Sequence, residues 1–257
     1  ATKSKKHKIY DLISQIYNKI LVRYIDVIEQ EFNNIGYNIY YKVMKCSLHG
    51  IPQNRERLII VGIKKNIKKK YVFPIELENN TNLKDIIEFT MEGSIKMEKE
   101  DFDFDTIPPE CIITDMSNEE NEQTPHANLE LLAKAKHFVY KTKDEKLEEI
   151  KTGIIKEGAT FDKRIHFGKR VSVGGEIIDI RKPINTIICA YAHCPRFFIP
   201  LKNKNGYYLR CLTPTELKQI QGFPKDYKIS GNKNKQIIQI GNAVPPPLIT
   251  KVILSII

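Results

Sequence analysis

The sequence predicts an α/β protein, and three of its features support that prediction. Apolar residues from Ile9 to Phe32 recur at the three- and four-residue spacing of one helix face. Leu58–Ile63 is a continuous apolar run of strand length, which is typical of a strand covered on both faces of a sheet. Between residues 160 and 208, short β-like runs alternate with glycine and asparagine turn signals. A chain of 257 residues can bury a substantial core around such elements.

The first predicted element is an amphipathic helix that ends at Gly36, because glycine commonly terminates helices. Residues 37–44 follow as a strand, and a loop at residues 46–57 leads into the strand at Leu58–Ile63. Two strands do not make a sheet that is covered on both faces. No later segment offers a series of strand–helix–strand units, so we expect the rest of this sheet to come from another chain.

The composition and the residue pattern change in the middle of the chain. Residues 92–125 are acidic and rich in turn residues, and residues 129–139 have the apolar spacing of a helix. The β-like runs that follow lie at residues 170–173, 177–180, 186–190 and 196–199. Asn205-Gly206 is a turn signal after the last of them.

The charge of +10 is unevenly distributed along the chain. Residues 1–70 carry 15 Lys and Arg against 5 Asp and Glu, residues 71–150 carry 8 against 20, and residues 151–257 carry 18 against 6. Two basic regions that flank an acidic one favour a basic face for a polyanion such as nucleic acid. A lysine- and asparagine-rich genome composition is the alternative explanation.

Composition also argues against several classes of protein. No apolar run approaches the roughly 20 residues of a membrane span, and no signal peptide pattern opens the sequence, so we expect a cytoplasmic protein without a membrane partner. Five cysteines fit a reducing compartment better than a disulfide framework. His193 lies between Cys189 and Cys194, but no paired Cys-x-x-Cys accompanies it, so we expect no metal site.

The first of three motifs is Gln53-Asn54-Arg55-Glu56-Arg57, on the loop before the apolar strand. Arginine is always charged and offers a rigid fork of donors, which suits a phosphate or a carbonyl that gains negative charge during a reaction. A structural Arg–Glu ion pair at the start of the strand is the alternative.

The other two motifs lie near the end of the chain. Thr213-Pro214-Thr215-Glu216 has the pattern of a capping box with proline at the first helical position, and Gly222-Phe223-Pro224 stops that helix. Gly241-Asn242-Ala243-Val244-Pro245-Pro246 precedes a terminal helix that is apolar almost all round. Such a helix is expected to be buried.

In this order the three motifs resemble the C-terminal half of the C5-cytosine DNA methyltransferases. The resemblance covers roughly residues 1–90 and 160–257. It implies the C-terminal part of a Rossmann-like sheet together with a mixed, β-containing target-recognition domain. The implied divisions are a catalytic portion at residues 1–72, the recognition domain at 73–209, and a return to the catalytic domain at 210–257.

The resemblance also implies roles for individual residues. Arg57 matches the arginine that contacts O2 of a flipped cytosine, and Arg55 and Gln53 match its supporting residues on the same loop. Asn242 matches the residue beside the methionine end of S-adenosyl-L-methionine, and its neighbours Ala243 and Val244 are carried over with it. Thr186-Ile187 is similar to a short signature of the recognition domain. The basic residues available there for double-stranded DNA are Lys163, Arg164, Lys169, Arg170, Arg181 and Arg196, although a solvated surface position is the favoured interpretation of any single one of them.

The catalytic Pro-Cys-Gln loop and the glycine-rich cofactor loop of that family occur nowhere in the 257 residues. We therefore expect a split bacterial methyltransferase, in which a companion subunit supplies the catalytic cysteine and most of the cofactor site. The alternatives are a non-catalytic DNA-binding or regulatory protein, an inactive remnant, and an RNA methyltransferase variant.

Overall fold

The computed structural model describes residues 24–78, 81–97, 102–116, 165–169, 175–192 and 195–256. The predicted helix at 129–139, the β-like run at 170–173 and the first part of the N-terminal helix lie outside the described residues. The chain divides into two compact units. Unit 1 draws on residues 1–44, 57–75 and 252–257, and unit 2 draws on residues 45–56 and 76–251. The functional boundaries at 72/73 and 209/210 stay predictions.

Unit 1 contains the predicted helix and strand pair. Helix α1 covers residues 24–34, and Gly36 follows it with φ 88°, the left-handed conformation that ends helices. Strands β1 (Tyr37–Lys45) and β2 (Glu56–Lys64) form a two-stranded sheet, which confirms both predicted strands.

The faces of this sheet differ. Val61 and Ile63 of β2 are buried, and the Tyr40 and Tyr71 rings lie 6.0 Å apart. The Tyr71 hydroxyl donates a hydrogen bond to the Val252 carbonyl at 3.1 Å. Leu58, in contrast, is 44% exposed, so the expectation that β2 is covered on both faces is not met within the described residues.

Unit 2 is built on a mixed six-stranded sheet. Its strands are β3 (Ile95–Met97), β4 (Ile113–Thr114), β5 (Ile165–Phe167), β6 (Gly175–Ile177), β7 (Phe197–Asn203) and β8 (Gly206–Cys211). Their order is β3-β8-β7-β6-β5, with β4 also paired to β7. Pairs β3–β8 and β7–β8 are antiparallel, whereas β4–β7, β5–β6 and β6–β7 are parallel.

Strand β7 lies at the centre of that sheet, and its residues from Phe197 to Leu201 are all buried. The turn to β8 is at Lys204-Asn205, one residue before the predicted Asn205-Gly206, and Gly206, the first residue of β8, has φ 129°. The predicted strand at residues 186–190 is wrong. Cys189–Ala192 forms a 3-10 helix instead, and the backbone of Ile187 is hydrogen-bonded by side chains rather than by a neighbouring strand.

Three helices complete the described fold. Helix α2 (Pro214–Ile220) confirms the predicted capping box, because the Thr213 side chain accepts from the Glu216 amide while the Glu216 carboxylate accepts from the Thr213 amide. Helix α3 (Lys233–Asn242), which the sequence did not predict, begins at the cap Asn232. Helix α4 (Pro246–Leu254) follows the glycine–asparagine motif. Leu248 is fully buried and Leu254 is 64% exposed, so α4 is not buried all round by the described residues, and its complete burial stays a prediction.

Residues Lys233–Leu254 are together long and apolar enough to cross a membrane, with a mean hydropathy of 1.3 over an 18-residue window. The core helices of water-soluble proteins meet the same criterion, so the finding carries little weight by itself. In the structure this stretch consists of α3 and α4, which are separated at residues 243–245.

Candidate functional site

The first loop motif, the end of α2 and the glycine–asparagine motif meet in the interior of unit 2. Gln53 and Gln221 are fully buried, and Arg55 is 2% exposed. Buried polar groups of this kind are costly unless they are hydrogen-bonded, so their partners define what the cluster does. We call the group Gln53, Arg55, Ile187, Gln221 and residues 241–243 the motif junction.

Both polar atoms of the Gln53 side-chain amide are hydrogen-bonded. Its Nε2 donates to Gln221 Oε1 at 2.6 Å, and its Oε1 accepts from the Ile187 amide at 3.2 Å. Gln221 in turn donates from Nε2 to the Ala243 carbonyl at 2.7 Å. This chain of amides links the loop, α2 and the end of α3.

Arg55 donates to three backbone carbonyls within the same unit. Its Nη1 reaches the Ile187 carbonyl at 3.0 Å, and its Nη2 reaches the carbonyls of Gly241 at 3.2 Å and Ala243 at 3.1 Å. The planar fork of arginine allows one side chain to hold all three. Both backbone polar groups of Ile187 are therefore bound by side chains of one loop, by Gln53 at the amide and by Arg55 at the carbonyl.

The backbone of the same loop is joined to the segment before Ile187. The Asn54 amide donates to the Ile184 carbonyl at 2.7 Å, and the Ile184 amide donates to the Pro52 carbonyl at 3.1 Å. The Thr186 hydroxyl adds a bond to the Asn54 carbonyl at 3.2 Å. Loop residues 52–55 and residues 184–187 thus form one hydrogen-bonded block.

Gly241 allows α3 to approach the 3-10 helix at Cys189–Ala192 closely. A Cβ at Gly241 would lie 2.5 Å from the Cys189 amide nitrogen and 2.7 Å from the Ile188 carbonyl carbon. Both are backbone atoms, which cannot move aside as the end of a side chain can. Any residue larger than glycine would therefore push the end of α3 away from this contact.

The structure distributes the predicted site residues as follows. Gln53 and Arg55 lie in the motif junction, where Gln53 Nε2 and the Nη1 and Nη2 of Arg55 donate to groups of this chain. Arg57 is half-buried and begins the part of β2 that belongs to unit 1. Asn242 and Val244 are exposed and Ala243 is half-buried at the end of α3. Their catalytic and cofactor roles stay predictions.

The predicted DNA-binding residues divide into three groups. Lys163, Arg164 and Arg170 lie outside the described residues. Lys169 is exposed and Arg196 is half-buried. Arg181 is engaged within the chain, since its Nε donates to Asp179 Oδ1 at 2.8 Å and its Nη1 to Glu110 Oε1 at 2.8 Å.

Asp179 is the centre of a small ionic cluster. It is 5% exposed, and Arg181 binds it through both Nε and Nη2. Lys182 adds an ion pair at 3.2 Å. The Arg181 guanidinium holds the pKa of the Asp179 carboxyl well below its usual range. The guanidinium of Arg181 is thereby committed to this chain's own carboxylates.

Among the cysteines that the structure describes, two are placed unfavourably for a nucleophile. Burial raises the pKa of Cys111 to about 11 and that of Cys211 to about 12. Because the thiolate is the reactive form, both are kept protonated near neutral pH. Within the described ranges, no group of His, Cys, Asp or Glu side chains is arranged for a metal ion.

Sequence reasoning missed two features of this unit. Gln221 enters the motif junction, and its position four residues after the buried Leu217 could have indicated an inward-facing side chain. Arg210 and Glu216 form a buried ion pair at 2.7 Å, with both side chains at most 4% exposed. No sequence signal pairs a strand arginine with the capping-box glutamate.

Comparison with known proteins gives a consistent result. The type II methyltransferase M.MthTI of Methanothermobacter thermautotrophicus is 26% identical over 219 residues, covering 84% of this chain and 55% of that protein. M.HhaI of Haemophilus parahaemolyticus is 23% identical over 226 residues, covering 86% of this chain and 53% of that protein. The chain thus spans about half the length of these relatives.

A solved structure of a Spodoptera frugiperda DNMT2 variant shares the fold. It has a TM-score of 0.50 and 14% identity, over 91% of this chain and 61% of that one. The family model for the C-5 cytosine-specific DNA methylases matches residues 13–257. That match covers nearly the whole chain, and the chain therefore belongs to the C-5 cytosine-specific DNA methylase family.

Proposed function

We propose that this chain is the DNA-recognition subunit of a split DNA (cytosine-5-)-methyltransferase. Joined to a companion that carries the catalytic cysteine and the glycine-rich cofactor loop, it methylates cytosine at C5 in a specific duplex site. The chain alone is inactive in this proposal. Family membership over residues 13–257 supports the chemistry.

The observation that best supports a two-chain enzyme is an exposed apolar surface on unit 1. Tyr41, Val43 and Leu58, on the two strands of its sheet, are 45%, 54% and 44% exposed. Apolar side chains grouped on a sheet face commonly mark an interaction surface. The companion would cover this face, and the sheet would thereby gain the layer that a continuously apolar strand requires.

The cysteines support the same division of labour. Cys46 and Cys111 are buried, and burial holds the thiols of Cys111 and Cys211 in the protonated form. None of the five cysteines in the sequence stands between proline and glutamine, the arrangement of the family's nucleophile. In this proposal the companion carries the nucleophile.

Within this division, Arg57 is assigned to the target base. A permanently charged guanidinium stabilises negative charge that builds on a carbonyl oxygen such as cytosine O2. The base has to leave the duplex to reach such a residue.

Asn242 and Val244 are assigned to the cofactor wall. Their exposure and the hydrogen bonds that fix the carbonyls of Gly241 and Ala243 fit a preformed edge of a binding site. S-adenosyl-L-methionine supplies the methyl group when bound. Most of its contacts are assigned to the companion.

The test is transfer of a radiolabelled methyl group from S-adenosyl-L-methionine to mixed-sequence duplex DNA. The chain is assayed alone, in complex with the protein encoded beside it, and as an Arg57→Ala complex. We expect activity from the complex only, and a loss on the order of 100-fold with Arg57→Ala, the scale found when one oxyanion donor is removed.

Lys64→Ala, at the exposed far end of β2, is the matched control and should retain full activity. A folded complex that binds DNA but transfers no methyl group would overturn the catalytic proposal and favour a non-catalytic DNA-binding protein. Activity of the chain alone would overturn the split.

A further inference from the structure

Asn242 stands between two carbonyls that one side chain holds. Arg55 Nη2 binds the carbonyls of Gly241 and Ala243, at 3.2 and 3.1 Å. Asn242 itself is exposed, so its side chain is available while the backbone on either side of it is fixed. Arg55, on the loop at residues 53–55, therefore fixes the backbone from which the Asn242 side chain projects.

The same guanidinium also holds Ile187, whose carbonyl accepts from Nη1 at 3.0 Å. Ile187 belongs to the segment that leads into the 3-10 helix at Cys189–Ala192, against which Gly241 packs. A shift of either segment alone would break at least one of the three hydrogen bonds. Arg55 thus ties two segments that are more than fifty residues apart in the chain to one rigid group.

A lysine at position 55 cannot make the same three hydrogen bonds. Its ammonium is a compact point charge on a flexible stem, without the planar fork that reaches carbonyls on two sides. A lysine at this position keeps the charge and gives up part of the hydrogen bonding. Arg55→Lys therefore distinguishes the effect of the positive charge from the effect of the hydrogen-bond geometry.

We propose that Arg55 is a positioning residue for the cofactor: it fixes the turn that carries Asn242 to the segment around Ile187, and so sets the affinity for S-adenosyl-L-methionine. This inference rests on the proposed function. It differs from a direct contact with substrate, because Arg55 is 2% exposed and its Nη1 and Nη2 both donate to carbonyls of this chain.

A second buried arginine of unit 2 provides the control. Arg210 is 1% exposed and, like Arg55, holds backbone carbonyls, those of Glu88 at 2.6 Å and Cys211 at 3.0 Å. It also pairs with Glu216, but none of its bonds reaches residues 241–243. Arg210→Lys therefore reproduces the cost of disturbing a buried arginine without disturbing the turn at Asn242.

The experiment measures kcat and the KM for S-adenosyl-L-methionine in the complex with the companion. We expect Arg55→Lys to raise this KM about tenfold with kcat within about twofold, the pattern of lost binding that is equal in the ground state and the transition state. Arg210→Lys should lower the melting temperature to a similar extent and leave the KM unchanged. Equal effects of the two variants on stability, with no change of KM for either, would overturn the positioning role.

If Arg55→Lys does not fold, Gln221→Met takes its place. It removes the Gln221 hydrogen bond to the Ala243 carbonyl and the bond that Gln221 accepts from Gln53, without leaving a buried charge. A smaller rise in the same KM is expected, and an unchanged KM would overturn the proposal.

A measurement on the chain by itself separates this inference from the proposed function. If the wild-type complex transfers no methyl group, the proposed function is wrong. Amide hydrogen exchange still tests whether Arg55 holds the two segments together. Arg55→Lys should speed exchange at residues 186–188 and 241–244 together, whereas Arg210→Lys should not. Unchanged exchange at both segments, or a change at one alone, would overturn it.

Discussion

Units 1 and 2 bury their apolar residues to very different degrees. In unit 2, the central strand β7 is buried from Phe197 to Leu201, between strands on both sides. In unit 1, strand β1 is of similar length, but Met44 is its one fully buried residue. Tyr41 and Val43 on the same strand are 45% and 54% exposed.

The difference shows where each unit obtains its stability. Unit 2 closes its core with its own side chains and with internal polar ties, namely the motif junction and the Arg210–Glu216 pair. Unit 1, in the described residues, leaves Tyr41, Val43 and Leu58 of its strand pair about half exposed. Substitutions in unit 2 should therefore affect folding, and those on the exposed face of unit 1 should affect association.

The largest effect is expected from Glu216→Ala in unit 2. The substitution leaves the Arg210 guanidinium buried without its counter-ion and removes the carboxylate half of the capping box. Breaking a buried pair in this way costs about 3–5 kcal/mol. Urea unfolding of the purified chain measures this loss.

Glu92→Ala is the matched control for Glu216→Ala. Its carboxylate pairs with Lys233 at the surface, where both side chains are more than half exposed. Such pairs contribute about 0–1 kcal/mol. Similar losses for the two variants would mean that the Arg210–Glu216 pair is open to water in solution.

A smaller, pH-dependent effect is expected from Asp179→Asn. The Arg181 guanidinium lowers the pKa of the Asp179 carboxyl in the folded state, relative to about 3.9 when unfolded. A depressed folded pKa adds stability above the unfolded pKa, and that stability is lost as the pH falls below it. The wild type should therefore exceed Asp179→Asn in stability at pH 6, and the gap should narrow between about pH 4 and pH 2.

Denaturant unfolding of both proteins across this pH range gives the gap directly. Taking the difference removes the contribution of carboxyl groups that the two proteins share. A gap that stays constant with pH would show that Asp179 acts through packing and hydrogen bonds alone.

The elements that the sequence predicted correctly depend on local pattern. The strands β1 and β2 follow from apolar runs, and α2 follows from the capping box at Thr213–Glu216. Helix α3 escaped prediction because its buried face within Lys233–Asn242 is narrow: Ile237, Ile240 and Gly241 are its buried residues.

The motif junction could not be predicted, because its contacts are remote in sequence. Gln53 and Gln221 are 168 residues apart, and no spacing rule links them. The same contacts explain the wrong strand at residues 186–190. Its β-branched residues favour a strand, but side chains from Gln53 and Arg55 take the backbone groups of Ile187 that a neighbouring strand would have bonded.

The smallest effect on folding, and the sharpest test of the comparison, is expected from Val43→Lys. The side chain is 54% exposed on β1, so the stability of the isolated chain should change by less than about 0.5 kcal/mol. A lysine at the centre of an interface that the companion covers would bury a charge without a partner. The affinity for the companion should therefore fall at least about tenfold, the scale of an interface hot spot.

Asn38→Lys, at an exposed polar position on the same strand, adds the same charge and should leave that affinity unchanged. Titration calorimetry with the companion and urea unfolding of the chain alone measure the two quantities. If Val43→Lys lowers the stability of the isolated chain by more than about 1 kcal/mol, the chain itself covers this face, since that loss exceeds the range for surface positions. The contrast between the two units would then reflect packing within one chain, and the companion would have to dock elsewhere.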